Sequence, residues 1–367
     1  MTRRPLISPK LLVAFGLLAF GLFLAVGLTG AAGLTLAGPG AAAHAATPAS
    51  DLPARLTDRE FWKMSTEWSE PNGFFRSDNL TSNELLFQHV LTDLVRRTRP
   101  GDVYLGVGPE QNYTYIAAVK PSMAVIFDIR RGNLQLQLMY KALFEMAADR
   151  VEFVSLLFAR PRPTGLGPKS TVVDIFSAFA RSPKSEALYT KTLKAITNRL
   201  TKTHGLPLPA EDLDGIEYVY HAFYWSGFAV RASPTYEDLM TGTDETGAFK
   251  SYLASEDRFA VVKSLEFRNL IIPVVGDFGG PKSIRVVGAY LKGRGATVST
   301  FYLSNVEQYL EQDNKWQLFC GNVAALPLDM SSTFIRSTNR GRGFGPFGPG
   351  FVSRLGAMAE ETKNCGA

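Results

Sequence analysis

With 367 residues, 46% of them hydrophobic and 20% charged, the chain has ample length for a buried core and the make-up of a folded protein, not a disordered one. Three of its +5 charges are Arg3, Arg4 and Lys10, and no acid precedes Asp51, so the chain beyond residue 10 carries only +2 and shows no dense Lys/Arg stripe; nucleic acid is not an expected partner. Two cysteines (Cys320, Cys365) and four scattered histidines (His44, His89, His204, His221) exclude a disulfide framework and a thiolate or histidine-rich metal centre, so no metal is expected.

Residues 11–37 are uncharged and follow Arg3, Arg4 and Lys10, and Ala43-His44-Ala45 offers a small-residue cleavage site. Residues 1–46 therefore read as a secretory signal peptide or as an uncleaved membrane anchor, the apolar run being long enough to span a bilayer. Either way the domain is expected to be exported, periplasmic or secreted, touching the membrane only through this segment. Thr2 to Ile7 also has a twin-arginine look, which leaves the export route open. In an oxidising compartment Cys320 and Cys365 are compatible with one bridge pinning the C-terminal end, and equally with two unpaired thiols.

A polar linker is expected over 47–57, an α/β domain over 58–338, and a Gly-rich flexible tail over 339–367. Thr81-Ser82-Asn83-Glu84 has the form of a capping box, followed by apolar residues at helical spacing up to Val95. A strand over 102–107 runs into Gly108-Pro109, with a helix over 110–119. A second strand over 123–129 and a second helix over 133–150 complete a βαβα pattern that argues for a parallel sheet. The middle is less regular, with a Pro/Gly loop over 161–168 and a Lys-rich helical pattern over 183–203. A strand over 269–277, a helix over 284–292, a strand over 297–304 and a helix from Asn305 restore the alternation. Short apolar runs at 317–320 and 332–335 suggest late strands.

Three strand ends concentrate the residues able to hold a ligand. Gly106 and Gly108 form a strand-to-helix turn that lets backbone approach a ligand, and Asp128 lies 22 residues past Gly106, an offset suited to a carboxylate on ribose hydroxyls. Asp277-Phe278-Gly279-Gly280 and Ser304-Asn305 end two later strands. Ligands of open α/β sheets bind outside the carboxyl ends of strands, so all of these are expected to line one crevice that takes a small molecule. The structural reading is equally specific: tight βα turns need glycine with or without a ligand, and Asp277 and Asn305 suit helix or turn caps. Five aromatics, Tyr218, Tyr220, Phe223, Tyr224 and Trp225, are candidates for a pocket wall or for core.

The span from about Phe61 to Arg336 resembles a bacterial family of uncharacterised proteins, through the stretches SDNLTSNE, YLGVGPEQNYTYI, FDIRRGNLQLQLMYKALFE, VVGDFGGPKSIR and FYLSNVEQYL. That family's fold is similar to class I S-adenosylmethionine-dependent methyltransferases. The resemblance implies a three-layer Rossmann-like α/β sandwich with a mostly parallel sheet, and S-adenosylmethionine as candidate cofactor. Gly106 and Gly108 would lie along its methionine part, Asn112 in the same loop, and Asp128 on its ribose. The pattern departs at Tyr104, where an acid normally stands two residues before the first glycine, with Glu110 as its substitute. Gln111 or Asn112 replaces the loop's third glycine. An enzyme of this type would orient its acceptor with Glu110, Asp277 or Asn305, with Asp277 as the candidate base. The alternative is a non-catalytic envelope protein that keeps the crevice for ligand binding or interaction. No G-x-S-x-G elbow supports a hydrolase.

Overall fold

The computed structural model describes residues 50–339 and 351–365. The expected leader, residues 1–46, and the Gly-rich run 340–350 lie outside the described residues. No helix among the described residues is long and apolar enough to cross a membrane.

The core is one sheet of six strands: β1 (Val103–Val107), β2 (Met123–Asp128), β3 (Ile271–Val275), β4 (Val298–Ser304), β5 (Thr333–Asn339) and β6 (Phe351–Ala357). Their spatial order is β3-β2-β1-β4-β5-β6. The first four pairings are parallel and β5 pairs with β6 antiparallel. Every residue of β1, β2 and β3 is buried, which is why these strands read as unbroken apolar runs and not as alternation. From β1 the sheet grows outward through β2 to β3, and β4 then returns to the other flank of β1. The carboxyl ends of β1 and β4 thus part at a point where connections leave in opposite directions.

Helices α1 (Asp58–Glu67), α2 (Leu91–Arg97), α3 (Gln111–Val119) and α4 (Arg131–Met146) accompany the first two strands. Between β2 and β3 the chain adds α5 (Arg150–Leu157), α6 (Val172–Ala180), α7 (Glu186–Asn198), α8 (Ala210–Ser226), α9 (Tyr236–Thr241) and α10 (Glu256–Phe267). The rest are α11 (Ser283–Gly293), α12 (Val306–Gln312), α13 (Trp316–Ala324) and α14 (Met358–Thr362). The central helix α4 packs on β3, α8 and α10. On α8 the aromatics divide as an amphipathic helix requires: Tyr220 and Phe223 are core, whereas Tyr218 and Trp225 are 57% and 68% exposed.

Four expectations change. Residues 51–56 are no free linker: Asp51 and Leu56 donate backbone hydrogen bonds to Arg294 and Arg268, Leu56 is buried, and Thr57 caps α1 in a box with Glu60. The run at 317–320 belongs to α13, not to a strand. The expected tail is ordered from residue 351, where β6 pairs along the whole of β5 and Met358 enters the core. This pairing covers the edge that β5 would otherwise expose. Cys320 on α13 bonds Cys365, with Cα atoms 5.1 Å apart, and so fastens the end of the chain. Finally, Thr81 to Glu84 is not a capping box, because Glu84 turns away from its own backbone toward β4.

Candidate functional site

Residues 69–84 form a strap across the carboxyl ends of the parallel strands, visiting β3, β2, β1 and β4 in turn. At β3 the Glu70 N–H donates to Val275 O at 2.8 Å. The Glu70 carboxylate accepts from the N–H groups of Asp277 (2.9 Å), Lys282 (2.7 Å) and Ser283 (3.0 Å), so it caps the start of α11. At β2, Gly73 donates to Ile129 O at 2.8 Å and approaches so closely that a Cβ there would collide with the Ile129 side chain. Asn72 Oδ1 caps α4 by accepting the Arg131 N–H at 2.7 Å. At β1, Ser82 N–H donates to Glu110 Oε1 at 3.1 Å. At β4, Glu84 Oε1 accepts the hydroxyls of Tyr302 (2.8 Å) and Ser304 (2.5 Å), while Glu84 Oε2 accepts Gln111 Nε2 at 2.9 Å.

Helix N-termini at a strand rim are ready anion sites, and here protein side chains already serve three of them. Glu70 holds that of α11 and Asn72 that of α4. At α3, Pro109 has no N–H, and the Glu110 carboxyl turns back on its own N–H and that of Ser82. Burial pushes Glu110 up to about 7 against those hydrogen bonds, and its Oε2 has no partner among the described residues.

Between strap and rim lies a cleft of about 360 Å³, the size of a small-ligand site. Gly108, Asp128, Asp277 and Asn305 line it, so the ends of β1, β2, β3 and β4 do meet at one opening. Its outer wall is aromatic: Phe75 packs edge-on to Tyr309 at 5.1 Å, and Arg76 donates to the Tyr309 hydroxyl at 3.2 Å. Phe74 beside them is 85% exposed. Gly108, at φ +76°, has open space where a Cβ would stand, and this conformation favours glycine. Ser304, at φ +50°, holds a strained conformation for a residue with a side chain at the point where β4 meets the cleft.

Three predicted site residues lie elsewhere. Gly106 does not line the cleft; a Cβ there would strike Asn112 Oδ1 and the Tyr104 ring, so this glycine makes room for the Tyr104–Asn112 hydrogen bond of 2.9 Å. Asn112 is fully buried and donates to the carbonyls of Val107 (2.9 Å) and Pro109 (2.7 Å), bracing the turn out of reach of any ligand. Glu110 is buried beneath the strap and does not line the cleft either.

The two rim carboxylates that do face the cleft are matched by cations. Asp128 Oδ1 accepts the Arg130 N–H at 2.9 Å and its Oδ2 the guanidinium at 3.3 Å; burial raises its pKa against the pull of that guanidinium. Asp277 Oδ2 accepts Lys315 Nζ at 2.7 Å, and this hydrogen bond raises the lysine. Asp277 is thus an ion-pair partner, not a free base. Asn305 flanks the start of α12 without capping it. His89, His204 and His221 are absent from the lining, and no group of three or more His, Cys, Asp or Glu among the described residues could hold a metal ion.

The family described as domain of unknown function DUF7790 matches residues 79–348. The chain belongs to that family. No curated protein matches it. The DUF7790 match takes in β1 to β5 and begins at Asn79, inside the strap, so Glu70 and Asn72, which cap α11 and α4, precede it. Within the matched span, sequence reading took Glu84 for a capping-box residue and did not single out Lys315.

Proposed function

We propose that the cleft binds a small nucleoside-type ligand bearing no phosphate on the turn after β1, with S-adenosylmethionine or its demethylated product as the ligand to test first. The observation that carries this reading is the junction of four strand ends with Asp128 last in β2, beneath an aromatic wall suited to a planar base or a sulfonium. The sheet order supports a three-layer Rossmann-like reading of the domain. Glu110 and Glu70, sitting on the α3 and α11 termini, would repel a pyrophosphate, which argues against a dinucleotide. Thr81 Oγ1, buried at the cleft without a hydrogen-bond partner among the described residues, fits a ligand that brings one. When bound, S-adenosylmethionine supplies an already activated methyl group, so the protein's part is positioning, which a cleft with paired carboxylates can perform.

A second reading, binding without turnover, is favoured by the Cys320–Cys365 bond: such bonds persist in oxidising compartments, in line with export of the domain. Calorimetry on the purified chain tests the binding that both readings share. S-adenosylmethionine or its demethylated product should bind, NAD should not, and Asp128→Ala should weaken binding by about ten- to a hundredfold, the worth of a hydrogen bond to a charged group. Absence of heat with both ligands would remove the nucleoside proposal and leave a crevice for another small molecule.

A further inference from the structure

Three hydroxyl groups at the inner end of the cleft, those of Ser82, Tyr302 and Ser304, have their protons turned inward, whereas the Thr81 hydroxyl has no partner among the described residues and can donate or accept. Tyr302 and Ser304, both in the lining, donate to the same oxygen of Glu84, and Ser82 donates to Gln111 Oε1. Gln111 cannot flip to relax this pattern. Its amide nitrogen faces Glu84 Oε2 at 2.9 Å and the Tyr115 hydroxyl at 2.8 Å, and a flipped amide would set its oxygen against the carboxylate. A hydroxyl has one proton and two lone pairs. With the proton held by a buried carboxylate, Tyr302 and Ser304 can offer the cleft lone pairs only. Ser82 keeps at most one more, because its oxygen also accepts the Glu84 N–H at 3.1 Å. Three carboxylates, Asp128, Asp277 and Asp313, stand around the same opening, but Arg130 pairs the first, Lys315 the second, and Arg76 adds a third cation, so the hydroxyls and not an excess of negative charge decide what the inner end accepts.

We infer that the inner end of the cleft is a receptor for an ammonium or similar cationic N–H group, and that Glu84 is the positioning residue that makes it so by holding the Tyr302 and Ser304 hydroxyls as acceptors. This rests on the cleft being a ligand site and names the group its ligand must present there. Glu84 is 1% exposed and meets no ligand itself. Its effect passes through two oxygens.

Two probes of equal shape and opposite charge test the inference on the purified full chain: 3-(methylthio)propylamine and 3-(methylthio)propanoate, titrated by ligand-observed NMR. The amine should bind at least about tenfold tighter, as expected when a buried acceptor pair is met or left unmet. Glu84→Gln frees a hydroxyl proton to face the cleft and should bring the two affinities within about twofold of each other. A Glu84 that only holds the fold together would lower the melting temperature without changing which probe is preferred. Should Glu84→Gln not fold, Tyr302→Phe and Ser304→Ala decide: each should weaken the amine and leave the propanoate unchanged. Equal affinities, preference for the propanoate, no binding of either probe at millimolar concentration, or a preference that survives these substitutions would each overturn the inference. If S-adenosylmethionine fails to bind while the amine preference holds, the nucleoside proposal falls and the receptor stands. Nucleoside binding without the amine preference gives the converse.

Discussion

Around Lys141 and around Glu84 the domain buries carboxylates at similar depth, with different remainders. In the first cluster Lys141 Nζ lies 2.9 Å from Glu145 Oε1, donates to Glu266 O at 2.5 Å and stands over the Phe61 ring at 5.0 Å. Glu145 Oε2 then meets His204 Nε2 at 2.7 Å, His204 Nδ1 meets Asp58 at 2.6 Å, and Asp58 accepts from Asn269 at 2.8 Å. Charges alternate along this chain, and none of its members lines the cleft. In the second cluster Glu84 is equally well supplied with donors, but the groups supplying it face a cleft and keep unused lone pairs there. Burial and hydrogen bonding alone do not distinguish architecture from a binding site. What distinguishes them is whether hydrogen-bonding capacity remains at a surface a ligand can reach.

The largest expected effect comes from breaking the sealed cluster. Lys141→Met takes the ammonium from between Glu145 and Glu266 and leaves Glu145 with His204 and the more distant Arg199, so the loss should approach the cost of removing one partner of a buried pair, about 3–5 kcal/mol. Urea unfolding should show that loss, with the preference between amine and propanoate unaltered in the folded fraction. A loss below about 1 kcal/mol would mean that water reaches the cluster, and the contrast with the cleft would disappear.

A smaller effect should follow pH. Burial alone would lower His204, but its hydrogen bonds and charge interactions with Glu145 and Asp58 outweigh burial and raise it above 6.5. A histidine raised by folding contributes fully below its unfolded pKa, and that contribution is lost as pH climbs through the folded value. Glu145 and Asp58, lowered by the same contacts in spite of burial, contribute above their ordinary 4.5 and 3.8 and lose that contribution as pH falls through their depressed values. Glu266, pushed up to about 8 by burial, is favoured in its protonated form and steepens the alkaline loss. Stability should therefore peak near about pH 4.5 and decline above it, first as Glu266 has to ionise and then more steeply above about 6.5 as His204 loses its proton. His204→Gln should lower that maximum by about 1.5–3 kcal/mol and flatten the alkaline limb, read from denaturant unfolding across pH. An unchanged alkaline limb would remove His204 from the account.

The first four strands were legible because both faces of each are covered, so sequence and burial carry the same unbroken apolar signal. Their carboxyl ends were legible for the same reason: Gly108, Asp128, Asp277 and Asn305 stand where an apolar run stops. The strap was not legible. Glu70, Asn72 and Glu84 act on partners distant in sequence, Glu84 reaching Tyr302 across 218 positions, and no local pattern records such a pairing. Locally, Thr81 and Glu84 match a capping box, and tertiary bonding overrides it. Gly106 and Asn112 misled in another way. Each is demanded by the turn itself, one to clear the Tyr104–Asn112 hydrogen bond and the other to hold three successive carbonyls, so the residue types of a ligand loop are present for a structural reason. The end of the chain was hidden by its neighbour, the Gly-rich run before Phe351 masking a strand of seven residues.

The smallest expected effect sharpens the comparison most, because it reverses the first. Lys315→Ala removes the cation from Asp277 as Lys141→Met removes one from Glu145, but here both partners are partly exposed, 39% and 25%. Stability should change by less than about 1 kcal/mol. The carboxylate left without its lysine lies in the cleft lining, so the amine probe should bind about two- to fivefold tighter, and more so at low salt. Deleting a cation would then be costly to folding and silent to ligand in the sealed cluster, and silent to folding but felt by ligand at the rim. If Lys315→Ala instead destabilised the domain by several kcal/mol with no change in amine affinity, Asp277 and Lys315 would belong to the same kind of closed network as Lys141, and the β3 end would no longer count as part of the receptor.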